Sequence, residues 1–301
     1  MSKTQDRPPA VQTGTRAHPS PPLPRQHLDK PGDEAELRPR PQFTAPDYRG
    51  SGKLQDRVAL ITGGDSGIGR AVAVLYAREG ADIAIVYLNE HDDARETQRC
   101  VEAEGRRCLL IPGDVKDARF CAEAVAKTVD AYGGLDILVN NAAYQQHVES
   151  LEDLSEERFD ETLRTNVYGY FHMAKAALPR LKRGAAIINT GSVTGIEGSK
   201  QLLDYSTTKG AIHAFTKALA SNVLPRGIRV NAVAPALVRT RFVASVIDDA
   251  ARMDAVNAFN PLGRIAEPEE VADAIVYLAS SRASYVNGHT LIMDGGGARP
   301  G

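Results

Sequence analysis

From Lys53 onward, short apolar runs alternate with longer amphipathic stretches. The runs are VALIT (58–62), IAIVY (83–87), CLLIP (108–112), DILVN (136–140), AAIIN (185–189), IRVNAVAP (228–235) and TLIMDG (290–295). They are rich in β-branched residues and nearly continuous rather than alternating, the pattern of strands buried on both faces. Between them, GRAVAVLYAREG, FCAEAVAKTVDAYGG and SEERFDETLRTNVYGYFHMAKAALPRL have helical spacing, and the last predicts a long helix over 156–182. Seven strands alternating with helices predict an α/β fold. Its core is a single doubly wound, seven-stranded parallel sheet with helices on both faces. One domain over residues 51–301 is long enough to bury a large core.

The N-terminal stretch has no such period. Ten of the 17 prolines lie in residues 1–46, mixed with charges of both signs. Proline removes backbone donors and blocks helix, so residues 1–50 are predicted to be an extended or disordered arm that builds no core. It would be either solvated or laid along a neighbouring subunit, with Phe43 and Tyr48 as its only aromatic anchors.

Composition narrows the function. Hydrophobic content of 43% and charged content of 25% are ordinary for a globular protein. A net charge of -2 offers no basic surface for nucleic acid. No apolar run approaches the roughly 18 residues that span a bilayer. The start, MSKTQDRPPA, lacks the apolar core of a secretory signal. Cys100, Cys108 and Cys121 show no C-x-x-C spacing, and the seven His form no H-x-x-x-H pair. A reduced, cytoplasmic chain without a metal site or membrane partner is the expectation.

The candidate chemistry starts where the first strand meets Thr62-Gly63-Gly64-Asp65-Ser66-Gly67-Ile68-Gly69 and a helix opens at Arg70. Residues without Cβ let backbone N–H groups approach a phosphate, and the helix N-terminus adds partial positive charge. A strand, a glycine loop and a helix within one βαβ unit give the loop its value as a dinucleotide signal. Farther on lie Asp114, Asn140-Asn141-Ala142, Asn166, Ser192, Tyr205, Lys209, the run Pro235 to Thr240, and Asp294-Gly295-Gly296. In order and spacing these motifs resemble the short-chain dehydrogenase/reductase family, over residues 53–298. The arm and the TGGDSGIGR loop look most like a bacterial branch near glucose-dehydrogenase and stress-associated members. The resemblance implies a Rossmann-type fold. It also implies a dinucleotide held by Thr62, Gly63, Asp65, Ser66, Gly67, Ile68, Gly69, Tyr87, Asp114, Val115, Asn141, Ala142, Tyr205, Lys209, Pro235, Val238 and Thr240.

The choice between NAD and NADP is less marked. NAD selectivity usually needs a carboxylate at the end of the second strand, and Tyr87 stands there. NADP selectivity usually needs Arg or Lys nearby, and Ser66 and Leu88 occupy those positions. Arg70 is within reach of such a phosphate, but an Arg on a first helical turn is more often solvated, and Asp65 would repel a 2'-phosphate if it points inward. The balance leans to NAD, with dual use open.

Tyr205 and Lys209, four residues apart, share one helix face 13 residues beyond Ser192. A phenol with pKa near 10 exchanges protons poorly at neutral pH, and lowering it to about 7 takes roughly 4 kcal/mol. A cation about 5 Å away at an effective dielectric near 20 supplies about 3 kcal/mol of that. Tyr205 is therefore the expected general acid/base, with Lys209 as the cation. The resemblance has Lys209 also hold the nicotinamide ribose. Ser192 would bond the substrate oxygen, and Asn166 would hold a water that relays protons through Lys209. Ala143 and Ala236 replace the usual glycines of N-N-A-G and P-G, so the backbone beside the nicotinamide could differ.

Substrate contacts are expected from Ser192, Tyr144, Gln145 and Tyr205. Polar residues in 143–148 and 194–203 favour a sugar, polyol or small aldehyde or ketone, and 241–262 reads as a lid. The resemblance implies a homotetramer. The reading is an oxidoreductase moving a hydride between a nicotinamide and an alcohol/carbonyl. A cofactor-binding sensor or scaffold without turnover is the alternative. An isomerase or dehydratase fits less well, because extended relatives of that kind carry a larger C-terminal substrate domain.

Overall fold

The computed structural model describes residues 17–19, 24, 26, 34–241 and 261–297. Seven strands form one sheet: β1 (Val58–Thr62), β2 (Asp82–Tyr87), β3 (Cys108–Pro112), β4 (Ile137–Asn140), β5 (Ala186–Thr190), β6 (Arg229–Pro235) and β7 (Thr290–Met293). Their order is β3-β2-β1-β4-β5-β6-β7, and every pairing is parallel. The predicted runs match these strands to within a residue or two at each end, because continuous β-branched stretches suit a sheet covered on both sides.

Successive side chains leave a strand on opposite faces, so each strand feeds two cores. Ala59, Ile61, Ile83 and Ile85 pack on one side with Val72, Tyr76, Val271 and Ile275. Leu60, Ala84, Val86 and Leu138 pack on the other with Met173, Ala177, Leu181 and Val223. The helices among the described residues are α1 (Gly67–Arg78), α2 (His91–Ala103), α3 (Ala118–Tyr132), α4 (Glu156–Leu163), α5 (Gly169–Ala177), α6 (Thr194–Glu197), α7 (Leu203–Val223) and α8 (Pro268–Ala279), of which α1, α2 and α8 feed the first core and α3, α5 and α7 the second. The chain winds outward from β1 in one direction and from β4 in the other. Ligands of such sheets enter the crevice at the carboxyl ends of the strands where the winding reverses. Here that is the junction of β1 and β4.

The predicted helix over 156–182 is interrupted. After α4, residues Arg164–Tyr168 form a π-helical turn before α5 begins. Asn166 sits inside that turn and is fully buried. The added residue per turn lets its amide face a neighbouring loop, which no regular apolar period would reveal.

Residues 34–50 depart from the expected coreless arm. Leu37, Phe43 and Ala45 are buried, and Phe43 and Ala45 join the α1/α8 core. Extended backbone still needs partners for its donors, and carboxylates of the domain supply them. Gln42 N donates to Glu267 Oε2 at 2.9 Å and Ala45 N to Glu269 Oε2 at 2.6 Å. The backbone N–H groups of Ser51 and Lys53 donate to Glu79 Oε2 at 2.9 and 2.8 Å, and the Tyr48 hydroxyl donates to Glu79 Oε1. This stretch therefore lies on its own chain. The predicted lid falls mostly on 242–260, outside the described residues. Among the described residues, no helix is long and apolar enough to cross a membrane, and no cluster of three or more His, Cys, Asp or Glu is placed to hold a metal ion.

Candidate active site

The glycine loop is built by tight approach. Gly63 has φ +62°, and a Cβ there would lie 3.0 Å from the Ala142 Cα. A Cβ on Gly69 would lie 1.9 Å from the Gly63 carbonyl oxygen, so side chains are excluded between the loop and the start of α1. The N–H groups of Gly63 and Gly64 both donate to the Val86 carbonyl, at 2.7 and 3.3 Å. Ile68, in the first turn of α1, leans on the core behind the loop. Thr62 ties the loop to the next strand across the switch point. Its Oγ1 accepts from the N–H groups of Asn141 (2.9 Å) and Ala142 (3.1 Å), while Asn141 Nδ2 donates to the carbonyls of Thr62 and Gly63.

Around this loop the other candidates fall into place. Asp65 is buried, accepts from the Ser66 hydroxyl at 3.1 Å and pairs with Arg241 at 2.9 Å. Tyr87 ends β2 with its hydroxyl 3.0 Å from His91 Nδ1. Asp114 accepts from the Lys116 N–H at 2.9 Å, and Val115 is buried against Gly169. Pro235 ends β6, Val238 bridges to Ala266, and Thr240 packs within 3.0 Å of where a Gly67 Cβ would stand. Neither Ala143 nor Ala236 adopts positive φ. Among the described residues the only non-glycines that do are Ala45 and Asp56. The two alanines therefore impose no backbone strain.

Arg70 does not lie in solvent, as a first-turn arginine commonly does: it is fully buried, with its guanidinium paired to Glu34 (2.6 Å), Asp93 (2.9 Å) and Glu96 (3.0 Å). Its Nε and Nη2 also donate to the Asp65 carbonyl, at 3.0 and 2.8 Å. A buried charge needs this density of partners, and they come from α2 and from the arm, both remote in sequence.

Beyond the switch point, α7 carries Tyr205 and Lys209 under the exits of β4 and β5. Lys209 is buried, and its Nζ donates to the Thr190 carbonyl at 2.7 Å. It lies 5.3 Å from the Tyr205 ring centroid and 5.5 Å from that of Tyr170. The Tyr170 hydroxyl donates to the same carbonyl at 3.1 Å. Ser192 leaves β5 with its Oγ 3.0 Å from Thr194 Oγ1, and its N–H donates to His213 Nε2 at 3.4 Å. Asn166 Oδ1 accepts the Tyr144 N–H at 2.7 Å, and Nδ2 donates to the Tyr144 carbonyl (2.9 Å) and Thr208 Oγ1 (3.0 Å). Thr208 in turn donates to the Tyr205 carbonyl. Tyr144 and Gln145 are half-buried on the same rim.

The electrostatics reverse one expectation. Burial pushes the Lys209 ammonium down to about 7 and lifts the Tyr205 phenol above its ordinary value, against a lowering hydrogen bond with Ser192. Lys209 is fully buried and Tyr205 half-buried, and loss of hydration is the largest cause of both shifts. Tyr170, Thr190, Thr208 and His213 escaped the sequence reading. They contact the site only through the fold, and no spacing marks them.

A doubly wound parallel sheet, with a glycine loop and a Tyr/Lys pair flanking its switch point, defines a dinucleotide-fold α/β protein. Residues 63–297 match the family model described as enoyl-(acyl carrier protein) reductase, and the chain belongs to the short-chain dehydrogenase/reductase family of oxidoreductases. It is 51% identical to "Uncharacterized oxidoreductase YhdF" of Bacillus subtilis over 90% of this chain and 94% of that protein. It is 40% identical to "Glucose and ribitol dehydrogenase" of Daucus carota over 91% of this chain and 96% of that one. A short-chain dehydrogenase from Burkholderia cenocepacia, solved in complex with NADP, superposes with TM-score 0.77 at 34% identity, covering 81% of this chain and 99% of that one.

Proposed function

We propose that the protein interconverts an alcohol and a carbonyl using a nicotinamide dinucleotide, on a polar substrate such as a sugar, polyol or small aldehyde or ketone. The observation that carries this reading is the Tyr205–Lys209 pair, with Lys209 Nζ 5.3 Å from the phenol ring and anchored on Thr190. The dinucleotide fits the residues present. Gly63 and Gly69 let the loop fold tightly against β4 and the start of α1, which brings backbone to the N-terminus of α1 at the crevice where the winding reverses. When bound there, the nicotinamide supplies or takes up the hydride.

The chain's own residues handle the proton and the positioning. In reduction, the Tyr205 hydroxyl donates its proton to the substrate oxygen as the C–H bond forms, and in oxidation its phenolate accepts the proton back. Ser192 Oγ donates to the same oxygen and stabilises the charge that develops on it. Lys209 places a cation beside the phenolate whenever it is protonated, and its Thr190 anchor fixes that distance. Asn166 acts by position: its amide is engaged with Tyr144 and Thr208, so it holds the β4 exit loop against α7. Tyr144 and Gln145 on the rim offer polar contacts to the substrate. The name of the carrot relative and the NADP held by the Burkholderia protein agree with this reading.

The test follows reduced-nicotinamide absorbance with NAD(H) and NADP(H) separately, against sugars, polyols, aldehydes and diketones. Turnover is expected on a polar compound, reduced ~10²–10⁴-fold in Tyr205→Phe while dinucleotide binding persists. Full turnover in that variant would remove the proton role from Tyr205. Binding without turnover on any compound would favour a sensor.

A further inference from the structure

Ser192 hangs from a backbone stretch in which one N–H turns to a side chain instead of the sheet. Just beyond β5, the N–H of Gly191 donates to the Val233 carbonyl at 2.7 Å and that of Val193 to the Pro235 carbonyl at 3.1 Å. Both bonds tie the strand exit to β6. The N–H of Ser192, between them, donates instead to Nε2 of His213 on α7, at 3.4 Å. His213 is buried. A Cβ on Gly191 would lie 2.2 Å from that Nε2, so the lack of a side chain at 191 is what admits the ring.

Tyr205, Lys209 and His213 follow one another at intervals of four, so α7 presents all three along one face, a turn apart. The first is the proton donor proposed above and the second its cation. The third reaches the backbone of the serine whose Oγ hydrogen-bonds Tyr205 and stands 3.0 Å from Thr194 Oγ1. A ring nitrogen receives an N–H only when it carries no proton, so Nε2 must be bare and the proton must sit on Nδ1. Burial, aided by the Lys209 and Lys217 cations on the same helix, holds the imidazole below its ordinary value and keeps it neutral. From the other side, the β5 exit brings the Gly191 and Ser192 backbone to its tip.

We propose that His213 is a positioning residue for Ser192: its neutral imidazole receives the Ser192 N–H, anchors the β5 exit to α7 as well as to β6, and so fixes the Oγ at the substrate oxygen. The inference rests on the alcohol/carbonyl reading above and deepens it. Removing the ring leaves the Ser192 N–H without this acceptor and lets the serine shift on the two β6 bonds that remain. A misplaced donor costs rate more than binding, because the Oγ matters most where charge develops on the oxygen.

The experiment has a spectroscopic arm and a kinetic one. In nitrogen-labelled, ligand-free wild type at neutral pH, NMR of the His213 ring is expected to show a neutral imidazole with its proton on Nδ1 and a bare Nε2. A proton on Nε2 would overturn the inference, since such a ring cannot receive the Ser192 N–H. In turnover assays His213→Leu should lower kcat ~10-fold, the size of one buried N–H left without its acceptor, with dinucleotide affinity unmoved in a fluorescence titration. His213→Gln, whose Oε1 can stand where Nε2 does, should recover most of that loss. In a Ser192→Ala background His213→Leu should have no further effect, because no hydroxyl is left to position. An equal loss with and without the Ser192 hydroxyl, or no recovery in His213→Gln, would mean that the ring only fills space, and overturns the proposal. If His213→Leu does not fold, His213→Asn takes its place, being too short to bring an acceptor to the same point, and the proton position in wild type still decides. A wild type with no turnover on any compound defeats the oxidoreductase reading and this inference with it, a different outcome from a wild type that turns over with the two losses additive.

Discussion

Lys209 is the residue at which function and stability pull apart. Its ordinary value is 10.5, and burial brings it to about 7 in the folded protein. Between those two values the unfolded chain binds the proton more readily, so this residue makes stability rise as pH climbs from about 7 to about 10. Below about 7 the folded protein carries the full penalty, on the order of 5 kcal/mol. Lys209→Met should abolish turnover. Its melting temperature relative to wild type should be most favourable near pH 6 and should lose that advantage towards pH 10. A relative melting temperature that ignores pH would show that the ammonium is not desolvated. The pair itself was legible in the sequence, because four residues of helix place two side chains on one face whatever surrounds them. The direction of its titration was not. That depends on Tyr170, on Thr190 and on the exclusion of water, which arise only when β5, α5 and α7 meet.

At the scale of elements, the strands were the easiest to read and the π turn the hardest. Seven short, nearly continuous apolar runs separated by helical stretches read as strands of one sheet, although its edge strands β3 and β7 are only partly covered, and the glycine loop follows from the first of them. The turn at Arg164–Tyr168 leaves the apolar period of its helix almost intact, so only its contacts disclose it. Those contacts are concentrated on Asn166, which joins the loop after β4 to α7 through Tyr144 and Thr208. Asn166→Ala removes the acceptor of the half-buried Tyr144 N–H and the donor to the fully buried Thr208 Oγ1, and should destabilise the protein by ~1–3 kcal/mol. Urea unfolding measures this directly, and an unchanged midpoint would mean that water or a neighbour replaces the amide. Gly69→Ala is the matching change in the glycine loop. Its methyl would meet the Gly63 carbonyl at 1.9 Å, so dinucleotide affinity should fall by ~10-fold or more, as read by fluorescence titration.

Across the whole molecule, the arm is what composition misjudged. Proline content argued against a core, and proline does keep 34–50 out of regular strands, but an extended segment can still seat side chains in a surface that other elements prepare. Phe43 packs among α1 and α8 residues with the Arg70 guanidinium 5.0 Å from its ring centroid. Phe43→Ala should cost ~3–5 kcal/mol in thermal or urea unfolding. A loss under about 1 kcal/mol would mean that the arm rests on the domain without sharing its core.

The arm's partners lie far along the chain. Gln42 and Ala45 are satisfied by Glu267 and Glu269, more than 220 positions later, and Arg239 donates to the carbonyls of Pro39 and Arg40. During synthesis the contacts of Gln42 and Ala45 must therefore wait until α8 has left the ribosome, while Glu34 can already reach Gly67, Arg70 and Asp93, and Tyr48 can reach Glu79. A chain cut short before α8 would keep the two ends of the arm's 34–50 segment seated and leave its middle without the carboxylates that satisfy it.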